Sequence, residues 1–271
     1  MKKLFLSILL VLGCAAVFVL GSPFYTIFPT NSNLNYYVAL SILILVLSIA
    51  CKKNEKLARF WPSAYAFLIA SVALVFLKIG ILNLPRDESN PLQFLALDKL
   101  SQFLHIVPVI LGLTLVARDD LKSIFIKKGN LKRGLTFGLI SFTGFAAVGL
   151  VMQWNSSDFF PSLPAAIPWL LLFVFTNAIM EELWFRAIFL KKFEMLVGRK
   201  AAIIITALAF GASHINATYD FPGGGFVFGC VVFGLGLVGA HAMLKDDSLI
   251  GPVFFHAGYD LMIMVSILNS L

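Results

Sequence analysis

Nine apolar stretches take up most of this chain, at about 4–22, 35–51, 61–84, 100–117, 134–152, 168–190, 201–218, 226–244 and 249–270. Each has a core near the 20 residues that a helix needs to cross a bilayer. Lipid offers the backbone no hydrogen-bond partner, so a spanning segment must satisfy its own N–H and C=O groups, and helix is the form that does so. The expected fold is therefore all-α: a polytopic membrane helical bundle of about nine transmembrane helices. Composition agrees, because only 13% of the residues are charged, against about 25% in soluble domains. Pro62, Pro168 and Pro252 fall near expected helix starts, where proline is tolerated. Cys14, Cys51 and Cys230 are scattered through apolar segments and form no CxxC pair. They read as small core residues.

The loops set an orientation. Lys2 and Lys3 precede the first segment. Lys52, Lys53, Lys56 and Arg59 follow the second. Arg118, Lys122, Lys127, Lys128, Lys132 and Arg133 follow the fourth, Lys191, Lys192, Arg199 and Lys200 the sixth, and Lys245 the eighth. All of these lie on one side of a nine-span bundle. The opposite loops hold Arg86 and Lys99, and Lys78 and Arg186 lie inside segments. The positive-inside bias then puts the N-terminus in the cytoplasm and the chain in the cell membrane. The net charge of +7 is thus a topology signal. No soluble basic domain exists to carry a nucleic-acid interface, so nucleic acid is not an expected partner.

Met1-Lys2-Lys3 ahead of an apolar run resembles a secretory signal, and Val11-Leu-Gly-Cys14 resembles a lipoprotein cleavage box. The run continues past Cys14 to Leu20, which favours a retained anchor. Cleavage would leave eight spans and, on this reading, would not touch the active centre.

The polar residues inside the apolar segments carry the chemistry. Segment six contains Glu181-Glu182-Leu-Trp-Phe-Arg186. Ionisable groups at membrane depth cost kilocalories each, so three within six residues point to a working site. Glu182 and Arg186 are four apart and share a helix face, where each lowers the cost of burying the other. Glu181 is rotated by about 100° and is left as the freer carboxylate, the one suited to general-base work. Segment seven ends Phe210-Gly-Ala-Ser-His214, and segment nine carries His256-Ala-Gly-Tyr-Asp260. Both pairs are again four apart. Counting about 1.5 Å per residue places Glu181, His214, His256 and Asp260 in one depth band, so three helices can converge on one cavity. His105 and His241 read instead as hydrogen-bonded core residues, and Glu194 as a loop residue.

In this order, Glu181-Glu182-x-x-x-Arg186, Phe210-x-x-x-His214 and His256-x-x-x-Asp260 resemble the three motifs of the CPBP family. That family comprises the type II CAAX prenyl endopeptidases and the bacterial Abi or bacteriocin-processing membrane proteins. The resemblance covers about 165–265 and divides the chain into N-terminal transmembrane helices, 1–160, and a catalytic core, 161–271. It implies an intramembrane endopeptidase acting on a membrane-associated or lipidated peptide or membrane-protein substrate, with membrane lipid as its surroundings. By resemblance, Glu181 and His214 activate water, His256 and Asp260 stabilise the oxyanion or complete a metal shell, and Glu182 and Arg186, with Phe210, hold Glu181 in place. Asp260 stands where the eukaryotic CAAX enzymes have Asn and the bacterial relatives have Asn or Asp. The family is described both as metalloproteases and as glutamate-dependent hydrolases. A divalent metal such as zinc would take His214, His256, Asp260 and Glu181 as its candidate ligands, although the close-spaced His-Glu-x-x-His string is absent. Both mechanisms stay open at this point. Two other classes use similar residues: a non-catalytic immunity or membrane assembly factor, and a proton- or ion-coupled transporter, which has no inverted repeat of broken helices here to support it.

Overall fold

The computed structural model describes residues 2–21, 33–156, 159–216 and 223–267, and among these every regular element is helical. Each apolar segment contains a helix, although 61–84 leaves it after Ile79 and 168–190 passes into a π-helical stretch, and the outer ends of the segments 4–22, 201–218 and 249–270 lie outside the described residues. Helix α1 (Lys2–Ala15) runs into a π-helical turn, Ala16–Leu20, and is followed by α2 (Asn33–Lys53), α3 (Trp61–Ile79), α4 (Pro91–Val116) and α5 (Leu131–Met152). Next come α6 (Phe159–Glu181), a second π-helical segment Glu182–Ala187, and the short α7 (Leu190–Val197). Then follow α8 (Arg199–His214), α9 (Gly224–Asp246) and α10 (Ile250–Ile267). Seven described helical stretches are long and apolar enough to cross a membrane, and Ile250–Ser266 is a shorter apolar helix. Helix α8, with 16 residues, reaches only about 24 Å, short of the roughly 30 Å hydrocarbon core.

Local signals explain the helix ends, and they correct three expectations. The Asn90 side chain caps α4 by accepting from Gln93 N at 3.0 Å, with Pro91 in the first turn. The helix thus starts nine residues before the apolar run at 100, and it carries Lys99 inside it rather than in a loop. Pro168 lies inside α6, not at its start. Glu194 lies inside α7. Pro62 and Pro252 do sit in the first turns of α3 and α10. Gly80 ends α3 in the left-handed region, φ 71°, where glycine carries no Cβ penalty.

Helices approach closely where residues are small, which is how packing is gained without a hydrophobic driving force in lipid. Helix α10 packs mainly on α5 and α8 on α9. A Cβ on Gly258 would come within 2.5 Å of Phe142 Cα, and one on Gly211 within 2.8 Å of Gly229 O. At the Lys- and Arg-rich end, Asn130 caps α5 by accepting from Arg133 N, and Arg133 pairs with Asp246. Asp247 pairs with Lys127 and, at 3.0 Å, with Lys191. These contacts fix the tight α9–α10 turn and with it the start of the helix that carries His256.

Cys14 is buried, but Cys51 is half-buried and Cys230 exposed, so only the first is a core cysteine. His105 is a core residue: its Nδ1 lies 2.7 Å from Ser101 O and its Nε2 accepts from Leu82 N at 2.9 Å. His241 is exposed instead, on the same face of α9 as the exposed Val238.

Candidate active site

The last turn of α6 and the π-helical segment after it hold the three charged residues. In π geometry a backbone N–H reaches five residues back, and Ile188 N bonds to Leu183 O at 3.2 Å. Such bulges recur at functional sites. All six residues of Glu182–Ala187 are buried.

Arg186 is fully buried, makes an ion pair with Glu182 and lies 4.2 Å over the Phe210 ring. Glu182 Oε1 also faces His256 Nδ1 at 2.9 Å. A carboxylate engaged with a guanidinium can only accept, so the His256 ring proton sits on Nδ1 and Nε2 points into the cavity. There Nε2 has Glu181 Oε2 at 3.6 Å and Asp260 Oδ1 at 3.5 Å. The other Asp260 oxygen accepts from Asn177 Nδ2 at 2.9 Å. His214 is oriented the same way. Its Nδ1 lies 2.8 Å from the carbonyl of Phe210, which only accepts, so Nε2 is the inward nitrogen. It lies 3.8 Å from Glu181 Oε2.

The seven residues singled out in the sequence therefore meet. The pairing of Glu182, Arg186 and Phe210 differs from expectation: they hold His256, through its Nδ1, rather than Glu181. What faces Glu181 from outside the histidine pair is Lys99 of α4, whose Nζ lies 3.9 Å from Glu181 Oε1. Glu181 Oε2 is buried and accepts no hydrogen bond among the described residues. It stands at the point toward which both inward ring nitrogens turn.

Asn177 and Lys99 escaped the sequence reading. Asn177 lies one helical turn before Glu181, a spacing that could have flagged it. Lys99 had been assigned to a loop, and nothing in its neighbours marks it.

Glu181, His214, His256, Asp260, Asn177 and Lys99 line a cavity of about 460 Å³, a size typical of small-molecule sites. Val17 and Phe18, Tyr37, Lys78 and Lys99 line it from the N-terminal helices. Phe18 packs on Trp184 and Phe185 with ring centroids 5.4 and 4.5 Å away. The first segment thus does touch the active centre, against the expectation that its loss would spare it.

Residues 163–262 match the family model described as type II CAAX prenyl endopeptidase, Rce1-like. Over that stretch the chain is similar to the CAAX proteases. All seven motif residues fall inside the matched span, and Lys99, with the N-terminal wall of the cavity, falls outside it. No curated protein and no solved structure matches the chain.

The resemblance also implies His214, His256, Asp260 and Glu181 as candidate metal ligands. Among the described residues, no group of three His, Cys, Asp or Glu side chains is arranged to hold a metal ion.

Proposed function

We propose that this integral membrane protein is an endopeptidase that hydrolyses a peptide bond of a membrane-associated or lipidated peptide or protein, with Glu181 as general base. One observation supports the reading above the rest: a buried carboxylate oxygen that has no donor among the described residues, held between two inward histidine nitrogens in a cavity inside a helical bundle. Glu181 Oε2 and His214 Nε2, 3.8 Å apart, are too far apart to bond directly and close enough to accept the two hydrogens of one water. The water oxygen then keeps a lone pair for the substrate carbonyl. As the C–O bond forms, the proton passes to Glu181 and the carbonyl π pair moves onto oxygen. In this step His256 is the imidazolium, carrying a proton on Nε2 as well as Nδ1, with Asp260 Oδ1 3.5 Å away as its counter-charge, and the Nε2–H serves the resulting oxyanion. Glu181 returns its proton to the amine nitrogen as the C–N bond breaks. No step requires a metal.

The test is peptide-product mass spectrometry on membranes bearing wild-type protein or Glu181→Gln. Loss of the base should slow cleavage by about 10²–10⁴-fold while the protein still accumulates. Turnover close to wild type in that variant would remove the assignment. A scaffold or immunity factor would leave its phenotype intact in Glu181→Gln, and a transporter would move ions in liposomes in response to substrate. A strong chelator, with metal content measured alongside, should leave activity unchanged. Activity that falls with the metal and returns on adding zinc would place His214 and His256 in a metal shell instead.

A further inference from the structure

Glu181 can serve two inward ring nitrogens only if its carboxylate is held in one rotation, and among the described residues the polar partners on α6, α8 and α10 are directed elsewhere. The Arg186–Glu182 pair is directed at His256 Nδ1. Asn177 is directed at Asp260. The two Glu181 oxygens are nevertheless in different surroundings: Oε2 faces His214 and His256, and Oε1 faces Lys99 Nζ at 3.9 Å. Lys99 is largely buried, with about a fifth of its side chain exposed. It also lies near the Phe173 ring, at 6.0 Å. Its helix is anchored beside the site, because α4 packs on α6, and the Asn90 cap and the Arg86–Asp98 ion pair bind its N-terminal half.

We infer that Lys99 is a positioning residue for the reaction proposed above: its ammonium holds Glu181 Oε1 and so turns Oε2, with its lone pairs unspent, toward the histidines. The inference rests on the endopeptidase reading for its rate measurement, but not for its structural consequence. Lys99 lies outside the family-matched residues 163–262, so this chain recruits the residue from its N-terminal helices. The groups facing Glu181 are then Lys99 from α4, His214 from α8, and His256 and Asp260 from α10. Lys99 is the cation among them that needs no protonation event. Without it, a buried carboxylate loses its fixed partner and can rotate toward either ring.

Lys99→Met should lower kcat by about 10²-fold, the loss expected for misplacing a reacting group by about an ångström, with KM unchanged. Lys99→Arg should recover most of that loss. In a Cys51→Ser, Cys230→Ser background, Lys99→Cys should be as slow as Lys99→Met. Aminoethylation of that thiol, which rebuilds a side chain of lysine length and charge, should restore the rate, whereas neutral ethylation should not. A merely structural lysine would change yield and thermal stability in both alkylated forms alike. If no peptide is cleaved even by the wild type, covalent labelling of Glu181 by a hydrophobic carbodiimide gives a readout without turnover. Glu181 should become more reactive in Lys99→Met and return to the wild-type level in Lys99→Arg. Unchanged kcat together with unchanged labelling in Lys99→Met would overturn the inference. Changed labelling without any proteolysis would keep it and remove the endopeptidase reading.

Discussion

Glu182 is held from two sides, by Arg186 and by His256 Nδ1 at 2.9 Å, whereas Glu181 Oε2 accepts no hydrogen bond among the described residues. Substitution of the two neighbours should therefore fail in different ways. Glu181→Gln should remove rate and leave folding alone. Glu182→Gln leaves Arg186 buried without its partner, a loss of about 3–5 kcal/mol, and frees the ring that presents His256 Nε2. Both membrane yield and activity should fall, as quantitative blotting beside the cleavage assay would record. Normal yield of Glu182→Gln would mean that Arg186 finds another acceptor. The Glu-Glu-x-x-x-Arg spacing was enough to separate a paired carboxylate from a freer one. It was not enough to say what the pair holds, because His256 is distant in sequence and reaches Glu182 only through helix packing.

At the scale of elements, the site depends on how closely helices approach. Gly258 lies between His256 and Asp260 on the face of α10 that meets α5. Gly258→Leu would place a side chain against Phe142 Cα, 2.5 Å from where its Cβ would begin. Overpacking of this kind costs about 1–3 kcal/mol, and it should also displace α10 from Glu181. Thermal melting in detergent and the cleavage rate should both drop, and an unchanged rate would show that α10 can shift without disturbing the site. The α9–α10 turn makes a prediction about pH. Burial raises the Asp247 carboxyl, but hydrogen bonds and charge from Lys127 and Lys191 outweigh it and hold the group below the usual carboxylate range. The stability from these pairs is present above that range and is lost as pH falls through the lowered value. Asp247 is about half exposed, so its contribution is under about 1 kcal/mol. Asp247→Asn should melt slightly below wild type at neutral pH, and the difference should vanish once the pH has fallen through the lowered value. A difference that persists in acid would assign the effect to packing.

For the whole molecule, the asymmetry of loop charge predicts which face is inner. Single cysteines replacing Asn54 or Ile126 should be labelled only after the inner face is opened. A cysteine replacing Ser89 should react with an impermeant reagent on intact cells. Labelling of position 126 from outside would overturn this orientation. The shift of Lys99 from a loop into α4 removes one of the two outer-loop cations and so sharpens the charge asymmetry.

What the amino-acid sequence determined by itself was everything written in local period and composition. Apolar runs of bilayer length specify helices because lipid leaves the backbone no other way to satisfy its hydrogen bonds. Spacings of four put Glu182 with Arg186, Phe210 with His214, and His256 with Asp260, because the helix repeat is itself local. Tertiary structure decided the rest. Lys99, Phe18 and Asn177 acquire their roles from elements that are brought together only by packing. The direction of each ring nitrogen was set by partners on other helices or by a backbone carbonyl. A lysine in an apolar run looks the same whether it faces lipid headgroups or a buried glutamate. The difference lies in which helix packs against it, and in lipid that choice follows from small residues such as Gly211 and Gly258, whose significance appears only once the neighbouring backbone is in place.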